Sequence, residues 1–240
     1  MTKNKTDFGN PTAFNFGGGE PKTECRYIVP KKSEERGAKH RKYANAETFA
    51  KEIVIDKGSR VFAILNGTFV FGDFIEALIR VKGYNVKKMT ISTLSLSELN
   101  IDSLERLLKE GLVNELNLLV SEYFWAHEKS ATVNNVTPLI PLLLKKLDID
   151  NIFQLAVCAT HCKMCIFEVS EKKYNYTPAK FITIHGSANL RSSANLEQIE
   201  IEESEELYKF NEDVQDKILK EYHIIQKPVR FSPYNWLKIQ

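Results

Sequence analysis

The sequence predicts an α/β layered domain, and three observations support that fold class. Segments with helical spacing alternate with short apolar segments from residue 44 onward, which is typical of helices packed on a sheet. After that alternation, apolar segments follow one another directly, which indicates additional strands. The segment 97–111 ends at a glycine and the segment 138–147 opens at a proline, as helices commonly do. We therefore expect a sheet with helices on both faces.

The elements follow in order along the chain. Helical spacing predicts helices over 46–53, 71–81, 97–111, 138–147 and 205–222. Short runs rich in Val, Ile, Leu and Thr predict strands over 60–65, 85–94, 115–121, 151–158, 161–169, 179–185 and 195–201. Residues 1–43 show neither the helical nor the strand spacing of apolar residues and are predicted to form a basic, loosely structured extension. The layered domain is predicted over 44–222, and 223–240 is predicted to be a tail.

Composition and charge exclude several classes of protein. The chain of 240 residues is 43% hydrophobic and 27% charged, which is ordinary globular composition. No apolar run approaches the roughly 18 residues of a membrane span, so we expect no membrane association. The N-terminus lacks the apolar core of a secretory signal, and four cysteines, three of them within 158–165, do not suggest a disulfide framework. A cytoplasmic location is therefore expected.

The charge is unevenly distributed. The net charge is only +2, but residues 1–43 hold ten basic and five acidic residues. The segment 31–42 contains six of the basic residues and is either a solvated tail or a surface that contacts phosphates through counterion release.

A histidine and a lysine stand two residues apart in the predicted strand over 161–169. Because alternate residues of a strand point to the same side, His161 and Lys163 are predicted to share one face. A lysine on a buried strand is uncommon without an anionic partner, so the pair indicates an anion site. The side chains of opposite parity are predicted to face apolar packing: Cys162, Met164 and Ile166.

Two further polar pairs have the same spacing. Ser187 and Asn189 lie on the turn that leaves the next predicted strand, and Asn195 and Glu197 follow. If these pairs converge with the first, imidazole, ammonium, hydroxyl, amide and carboxylate groups meet at one place. That set of groups suits a phosphate diester.

The chemistry expected of such a site follows from the side chains. Lys163 would neutralise non-bridging phosphate oxygens, to which Ser187 and Asn189 would donate hydrogen bonds. His161 would attack phosphorus or donate a proton. Glu197 would bond the second ring nitrogen of the histidine and fix its tautomer.

These segments resemble the HxKxxxxD and GSxN signature of the phospholipase D superfamily. His161-Cys162-Lys163 is followed after four residues by Glu168, and the sequence Gly-Ser-Ala-Asn follows at 186–189. The segment 195–197 is similar to the Asn/Glu segment that follows GSxN in that family. The resemblance implies a phospholipase D-like catalytic domain over 44–222, an α-β-α sandwich with a mixed central sheet.

The chain departs from the family pattern in two places. Glu168 stands where the family has aspartate, a carboxylate whose role is structural. Seventeen residues separate Glu168 from Gly186, an interval longer than the family usually has. Residues 171–178 within it indicate a hairpin extension, which we expect to shape substrate access.

The resemblance also implies catalytic roles. His161 would be the nucleophile that forms a phosphohistidine intermediate, Lys163 and Asn189 would bind the phosphate, Ser187 would assist, and Glu197 would orient the histidine. The family uses two such motifs, because a second histidine protonates the leaving group. This chain has one, so the resemblance implies a homodimer with a composite site at its two-fold axis. No metal and no cofactor are implied.

The expected function is that of a metal-independent phosphodiesterase, a nuclease that acts on DNA or RNA. Two alternatives remain. One is a non-catalytic subunit that keeps the fold and binds nucleic acid or a partner. Such a subunit would be recruited into a larger complex. The other, less favoured, is a phospholipase acting on lipid head groups, against which stands the lack of an obvious interfacial helix.

Residues beside the motifs are weaker candidates. Asn66 and Thr68, in the turn after the strand 60–65, are expected to line the site, and His185 is a neighbour that we expect to contact substrate.

Three cysteines near His161 suggest zinc at first sight. In a strand, however, Cys165 shares the face of His161, while Cys158 and Cys162 point the other way. Ligands on both faces cannot meet at one ion, so we predict small buried cysteines and no metal.

Overall fold

The computed structural model describes residues 26–28, 40–42, 44–67, 69–121, 139–149, 152–170, 179–191 and 195–225. The strands in these residues are β1 (Arg26–Ile28), β2 (His40–Lys42), β3 (Arg60–Leu65), β4 (Val86–Thr93), β5 (Leu116–Ser121), β6 (Phe153–Cys158), β7 (Met164–Val169), β8 (Phe181–Gly186), β9 (Glu197–Glu203) and β10 (His223–Ile225). The helices are α1 (Ala46–Glu52), α2 (Phe71–Lys82), α3 (Glu98–Lys109), α4 (Leu139–Leu147) and α5 (Glu205–Tyr222). No helix among them combines the length and apolar character that a membrane crossing requires.

The described strands form one mixed sheet in the order β10-β6-β5-β4-β7-β8-β9-β3-β1-β2. β4, β5 and β6 are parallel neighbours, and the chain crosses from β4 to β5 through α3. β7, β8 and β9 are antiparallel neighbours in chain order. The alternating part of the sequence thus supplies the parallel strands, and the consecutive apolar segments supply the antiparallel ones.

Helices cover both faces of the sheet, as predicted. α1 to α4 pack on one face around a large apolar core, in which the rings of Phe49 and Phe74 stack with centroids 4.7 Å apart. α5 covers the other face over β5 to β8 and β10. Its apolar contact is much smaller: Leu119, Ala156 and Leu219. The domain is therefore an α-β-α sandwich with one strongly apolar interface.

The alternation of side chains along β4 accounts for the difference between the faces. Met89 and Ile91 point into the apolar core, whereas Thr90 and Ser92 point toward α5, because neighbours on a strand face opposite ways. Gln215 of α5 donates from Nε2 to the hydroxyl of Ser92 at 3.4 Å. α5 therefore packs on the sheet partly through buried polar groups.

The predicted elements all occur, and the strand 60–65 and the helix 205–222 have the predicted bounds. The strand predicted over 161–169 is the exception that matters, because it begins only at Met164. Pairing of β7 starts where Met164 lies opposite Ser92 and His185. Residues 159–163 therefore form a loop between β6 and β7, and the alternation rule does not apply to His161.

Segments predicted to lie outside the domain also contribute strands. β1 and β2 fall within 1–43 and continue the sheet beyond β3, and β10 falls within 223–240 and pairs with β6. Unpaired backbone groups at a sheet edge accept short added strands readily. Three residues are too few to show a period, so the sequence pattern cannot reveal such strands. The domain bounds at 43 and 222 remain predictions.

The strands that carry the motifs all start or finish at the same end of the sheet, which is a boundary formed by strand ends and not by an outer strand. β3, β4 and β8 end there, and β7 and β9 begin there, as the opposed pairs Leu65 with Glu197 and Met164 with His185 show. α2 and α3 also begin at this edge, directly after β3 and β4. We call it the motif edge.

Candidate active site

The structure brings the two motif segments side by side at the motif edge. The backbone amide of Gly186 donates to the carbonyl of Lys163 at 3.2 Å, one position beyond the pairing of Met164 with His185. The loop that carries His161 therefore lies next to the turn that carries Ser187. Residues far apart in the sequence meet because β7 and β8 are antiparallel neighbours.

The first segment, 161–163, is open to solvent. His161 is exposed and Lys163 is half-buried. Lys163 Nζ donates to the backbone carbonyl of His161 at 3.1 Å and lies 3.5 Å from Nδ1 of its ring. The predicted neighbours are thus in contact, and an anion bound there would meet both.

The exposure of Cys162 contradicts the side-chain direction that the strand pattern predicts for it. We expected it to pack against apolar groups, but it is exposed, and its backbone amide donates to Thr160 Oγ1 at 3.1 Å. The reason is that residues 161–163 form a loop rather than a strand. Cys158 and Cys165 are buried, as predicted.

The second segment, 186–190, is held closely. A Cβ at Gly186 would lie 2.0 Å from the backbone oxygen of Gln198, so only glycine fits at this position. The Ser187 amide donates to that same carbonyl at 3.0 Å. Ser187 Oγ accepts from the Gln198 amide at 3.0 Å and donates to the carboxylate of Glu197. The turn after β8 is thereby fixed to the start of β9.

The rest of this segment is fixed to the end of β4 and to α2. Asn189 Oδ1 accepts from the Leu94 amide at 3.2 Å. The Leu190 amide donates to Thr93 Oγ1, and its carbonyl accepts from the Gly72 amide, both at 3.3 Å. Since the amide oxygen of Asn189 is engaged, its NH₂ group is the part oriented to donate to a ligand.

The two candidate carboxylates lie in different places. Glu197 is half-buried at the motif edge, and its partner is the hydroxyl of Ser187 rather than the ring of His161. Its predicted role in orienting the histidine stays a prediction. Glu168 lies five residues from Lys163 along β7, roughly 16 Å away, and pairs with Lys87 Nζ at 3.1 Å. That position is away from the site, and the structural role predicted for Glu168 stays a prediction.

The weaker candidates are only partly brought to the site. Asn66 directly follows β3 at the motif edge, and Thr68 lies outside the described residues. His185 is next to the motif turn but is directed to the α5 face, with Nε2 4.0 Å from a carboxylate oxygen of Glu200. Burial lowers the pKa of His185, the positive charge of Arg60 lowers it further, and the carboxylate of Glu202 acts against both.

Within the described part of the chain, no group of three or more His, Cys, Asp or Glu side chains is placed to hold a metal ion. Cys165 points into the apolar core, and burial there raises the pKa of its thiol strongly. The 171–178 hairpin predicted to shape substrate access lies outside the described residues.

Comparison with known proteins gives matches at the level of structure alone. No protein-family model matches the chain, and no curated protein matches its sequence. Among the solved structures that match is polyphosphate kinase from Porphyromonas gingivalis, with 11% identity, a TM-score of 0.47, and coverage of 75% of this chain and 29% of that one. The chain therefore spans less than a third of that kinase.

Two smaller proteins also match over most of their own length. NucT from Helicobacter pylori has 16% identity and a TM-score of 0.43, with 67% of this chain and 96% of that chain covered. Nuc from Salmonella typhimurium, a phospholipase D family member, has 15% identity and a TM-score of 0.39, with 60% and 85% covered.

Sequence reasoning missed several residues that shape the site. Thr93 and Leu94 hold the Asn189 turn, yet no motif marks them, and only their place at the end of a strand beside β7 points to them. Gly72 approaches the same turn, and a Cβ there would lie 2.5 Å from Asn100 Nδ2. Arg191 stands two residues after Asn189, and that position alone marks it as a cation beside the motif.

Proposed function

We propose that the chain is a member of the phospholipase D superfamily and a metal-independent phosphodiesterase that hydrolyses nucleic acid. The observation that carries the proposal is the hydrogen bond from Gly186 to Lys163, which sets the histidine–lysine loop beside the Ser187 and Asn189 turn. These two adjacent segments carry the ammonium of Lys163, the exposed imidazole of His161 and the NH₂ group of Asn189. These are the groups that transfer of a phosphodiester through an enzyme-bound intermediate requires.

The proposed reaction has two steps. A ring nitrogen of His161 attacks phosphorus, a P–N bond forms, and the P–O bond to the leaving group breaks. Water then attacks phosphorus, the P–N bond breaks, and the free imidazole is restored. Lys163 and the Asn189 amide bind the non-bridging oxygens, on which negative charge accumulates.

The leaving oxygen needs a proton, and a single copy of the motif supplies one histidine. We propose that His161 of a second copy protonates it and then accepts a proton from the attacking water in the second step, in a homodimer with one composite site. The exposure of His161 is compatible with this arrangement, because nothing in the described part of the chain covers it. One imidazole must be neutral and the other protonated, so a bell-shaped dependence of the rate on pH is expected.

Hydrolysis of labelled DNA and RNA in excess EDTA tests the reaction. The unsubstituted chain should cleave, and His161→Ala should lower the rate at least about 10³-fold, because the nucleophile is lost. Lys209→Ala, an exposed residue paired with Glu205 on α5, is the matched control and should keep its rate. A rate that disappears with EDTA, or an active His161→Ala protein, would refute the proposal.

Cross-linking tests the composite site. Cys162 is exposed beside His161, whereas Cys158 and Cys165 are buried, so a short bis-maleimide should join two copies through Cys162. Cys25→Ser should remove the remaining cysteine and leave the cross-linked dimer. If the Cys25→Ser protein gives the same yield of cross-linked dimer with and without the additional Cys162→Ser substitution, the 161–163 loops of two copies do not meet.

A second candidate function is a non-catalytic nucleic-acid-binding subunit. It is favoured by the contact of Glu197 with Ser187, because that carboxylate is then engaged away from the imidazole. In this case the chain would bind DNA or RNA without cleaving it, and His161→Ala would leave binding intact.

A further inference from the structure

Arg191 is a cation at the motif edge with no assigned role. It is exposed, and no hydrogen bond or ion pair joins its guanidinium to another residue in the segments that the structure describes. It lines a shallow cleft together with Asn189, Asn195 and Glu197. An arginine beside two candidate site residues, with its charge unpaired there, is suited to an anionic ligand.

The backbone that carries Arg191 is anchored. Leu190, directly before it, is 1% exposed and is hydrogen-bonded through its amide to Thr93 and through its carbonyl to Gly72. The guanidinium therefore extends from a fixed point beside the cleft. Less conformational freedom is lost on binding when a side chain starts from an ordered backbone.

The register of the sheet places this cleft to one side of the histidine–lysine loop. Lys163 is next to Gly186 of β8, while the other wall of the cleft is Leu65, at the end of β3. Three spacings between neighbouring strands separate β7 from β3, roughly 14 Å in total. That distance is measured to the far wall, and Asn189 lies in the same cleft, so a strand with several phosphates can extend from the phosphate bound at Asn189 along the cleft past Arg191.

We propose that Arg191 binds a phosphate of a polynucleotide next to the one that reacts at His161 and Lys163. This inference rests on the proposed function, and it names the substrate as a strand with consecutive phosphates. The planar guanidinium matches a phosphate with two parallel hydrogen bonds. A phospholipid with a single phosphodiester offers no second phosphate for this position.

Salt-dependent binding tests the proposal without requiring cleavage. A fluorescent oligothymidylate with phosphorothioate linkages is titrated with the full chain, Arg191→Gln, Arg191→Lys and Lys209→Gln at NaCl concentrations from about 0.05 to 0.2 M. Arg191→Gln should make the plot of log K against log salt shallower by about 0.7, with about fivefold weaker binding near 0.1 M. Arg191→Lys should keep the slope of the unsubstituted chain, and Lys209→Gln should not change it.

Other outcomes overturn the proposal. Arg191 does not contact the strand if Arg191→Gln has the same salt dependence of binding as the unsubstituted chain. The same conclusion follows if Arg191→Gln changes the binding constant no more than Lys209→Gln does. If Arg191→Gln lowers hydrolysis of bis(4-nitrophenyl) phosphate as much as that of the oligonucleotide, Arg191 acts at the reacting phosphate instead. Hydrolysis by the unsubstituted chain reports on the proposed function separately, so the two failures are distinguishable.

Discussion

The two segments of the candidate site are attached to the fold in opposite ways. The turn at 186–190 is hydrogen-bonded to β9, to the end of β4 and the residue after it, and to the first turn of α2. The loop at 161–163 is largely exposed, and the Lys163 side chain contacts His161 of the same loop. The turn at 186–190, which we call the cradle, is held in place by these hydrogen bonds, whereas the loop at 161–163 carries the two groups that we propose to react.

This difference separates the part of the candidate site that is already ordered from the part that we expect another group to order. Donors fixed by backbone hydrogen bonds need no rearrangement when an anion binds. Among the described residues the His161 ring contacts a neighbouring lysine and no further hydrogen-bonding group, whereas catalytic groups are normally held by a second layer of hydrogen bonds. The second copy and the substrate are the groups that we expect to orient it.

The largest expected effect comes from breaking the cradle. Gly186→Ala places a methyl group 2.0 Å from the Gln198 carbonyl, so β8 and β9 must separate locally. We expect the free energy of unfolding to fall by about 3 kcal/mol, measured by urea denaturation.

Gly111→Ala is the control for that substitution. Gly111 has φ +67° but nothing within 4 Å of an added Cβ, so backbone strain alone should cost about 1 kcal/mol. Equal losses at the two glycines would mean that the close approach at Gly186 does not hold the turn.

The sheet and its covering helices were predictable because each long element repeats its period several times. Arg60–Leu65 and Glu205–Tyr222 have the bounds that the pattern predicted. The three-residue strands were not predictable, since pairing with an existing sheet edge rather than any local preference makes them extended.

The parts of the candidate site that depend on the spacing of residues along the sequence were predictable. The parts that depend on contacts between distant strands were not. The convergence of Lys163 with the Gly186 turn follows from two adjacent antiparallel strands. The start of β7 at Met164 depends on where β4 ends, which no local pattern records, so the parity assigned to Cys162 was wrong.

A smaller effect on unfolding free energy is expected when Ser187 of the turn at 186–190 is compared with Thr160 of the loop between β6 and β7. Ser187→Ala removes a hydroxyl that joins the Gln198 amide to the Glu197 carboxylate, and we expect a loss of about 1 kcal/mol in unfolding free energy. Thr160→Ala removes one exposed bond to the Cys162 amide and should cost only a few tenths. Urea denaturation of both variants measures the difference, and a larger loss at Thr160 would reverse the comparison.

The smallest effect concerns His185, which directly precedes the turn at 186–190 and lies opposite Met164 on one side and Glu200 on the other. Burial lowers the pKa of His185 below its usual value of about 6.5, and Arg60 lowers it further. As the pH falls below that usual value, the unfolded chain takes up this proton more readily than the folded one. The contribution of His185 is therefore complete above about pH 6.5 and is lost as the pH falls.

His185→Gln isolates this contribution, because glutamine keeps a polar side chain and does not titrate. The urea midpoint of the unsubstituted chain should fall more between about pH 7.5 and 5.5 than that of the variant. The difference should be modest, since the His185 side chain is 37% exposed and solvent screens its surroundings. Identical pH dependence in the two proteins would mean that the imidazole is as well solvated in the fold as in the unfolded chain. The end of β8 that leads into the turn at 186–190 would then be open to water.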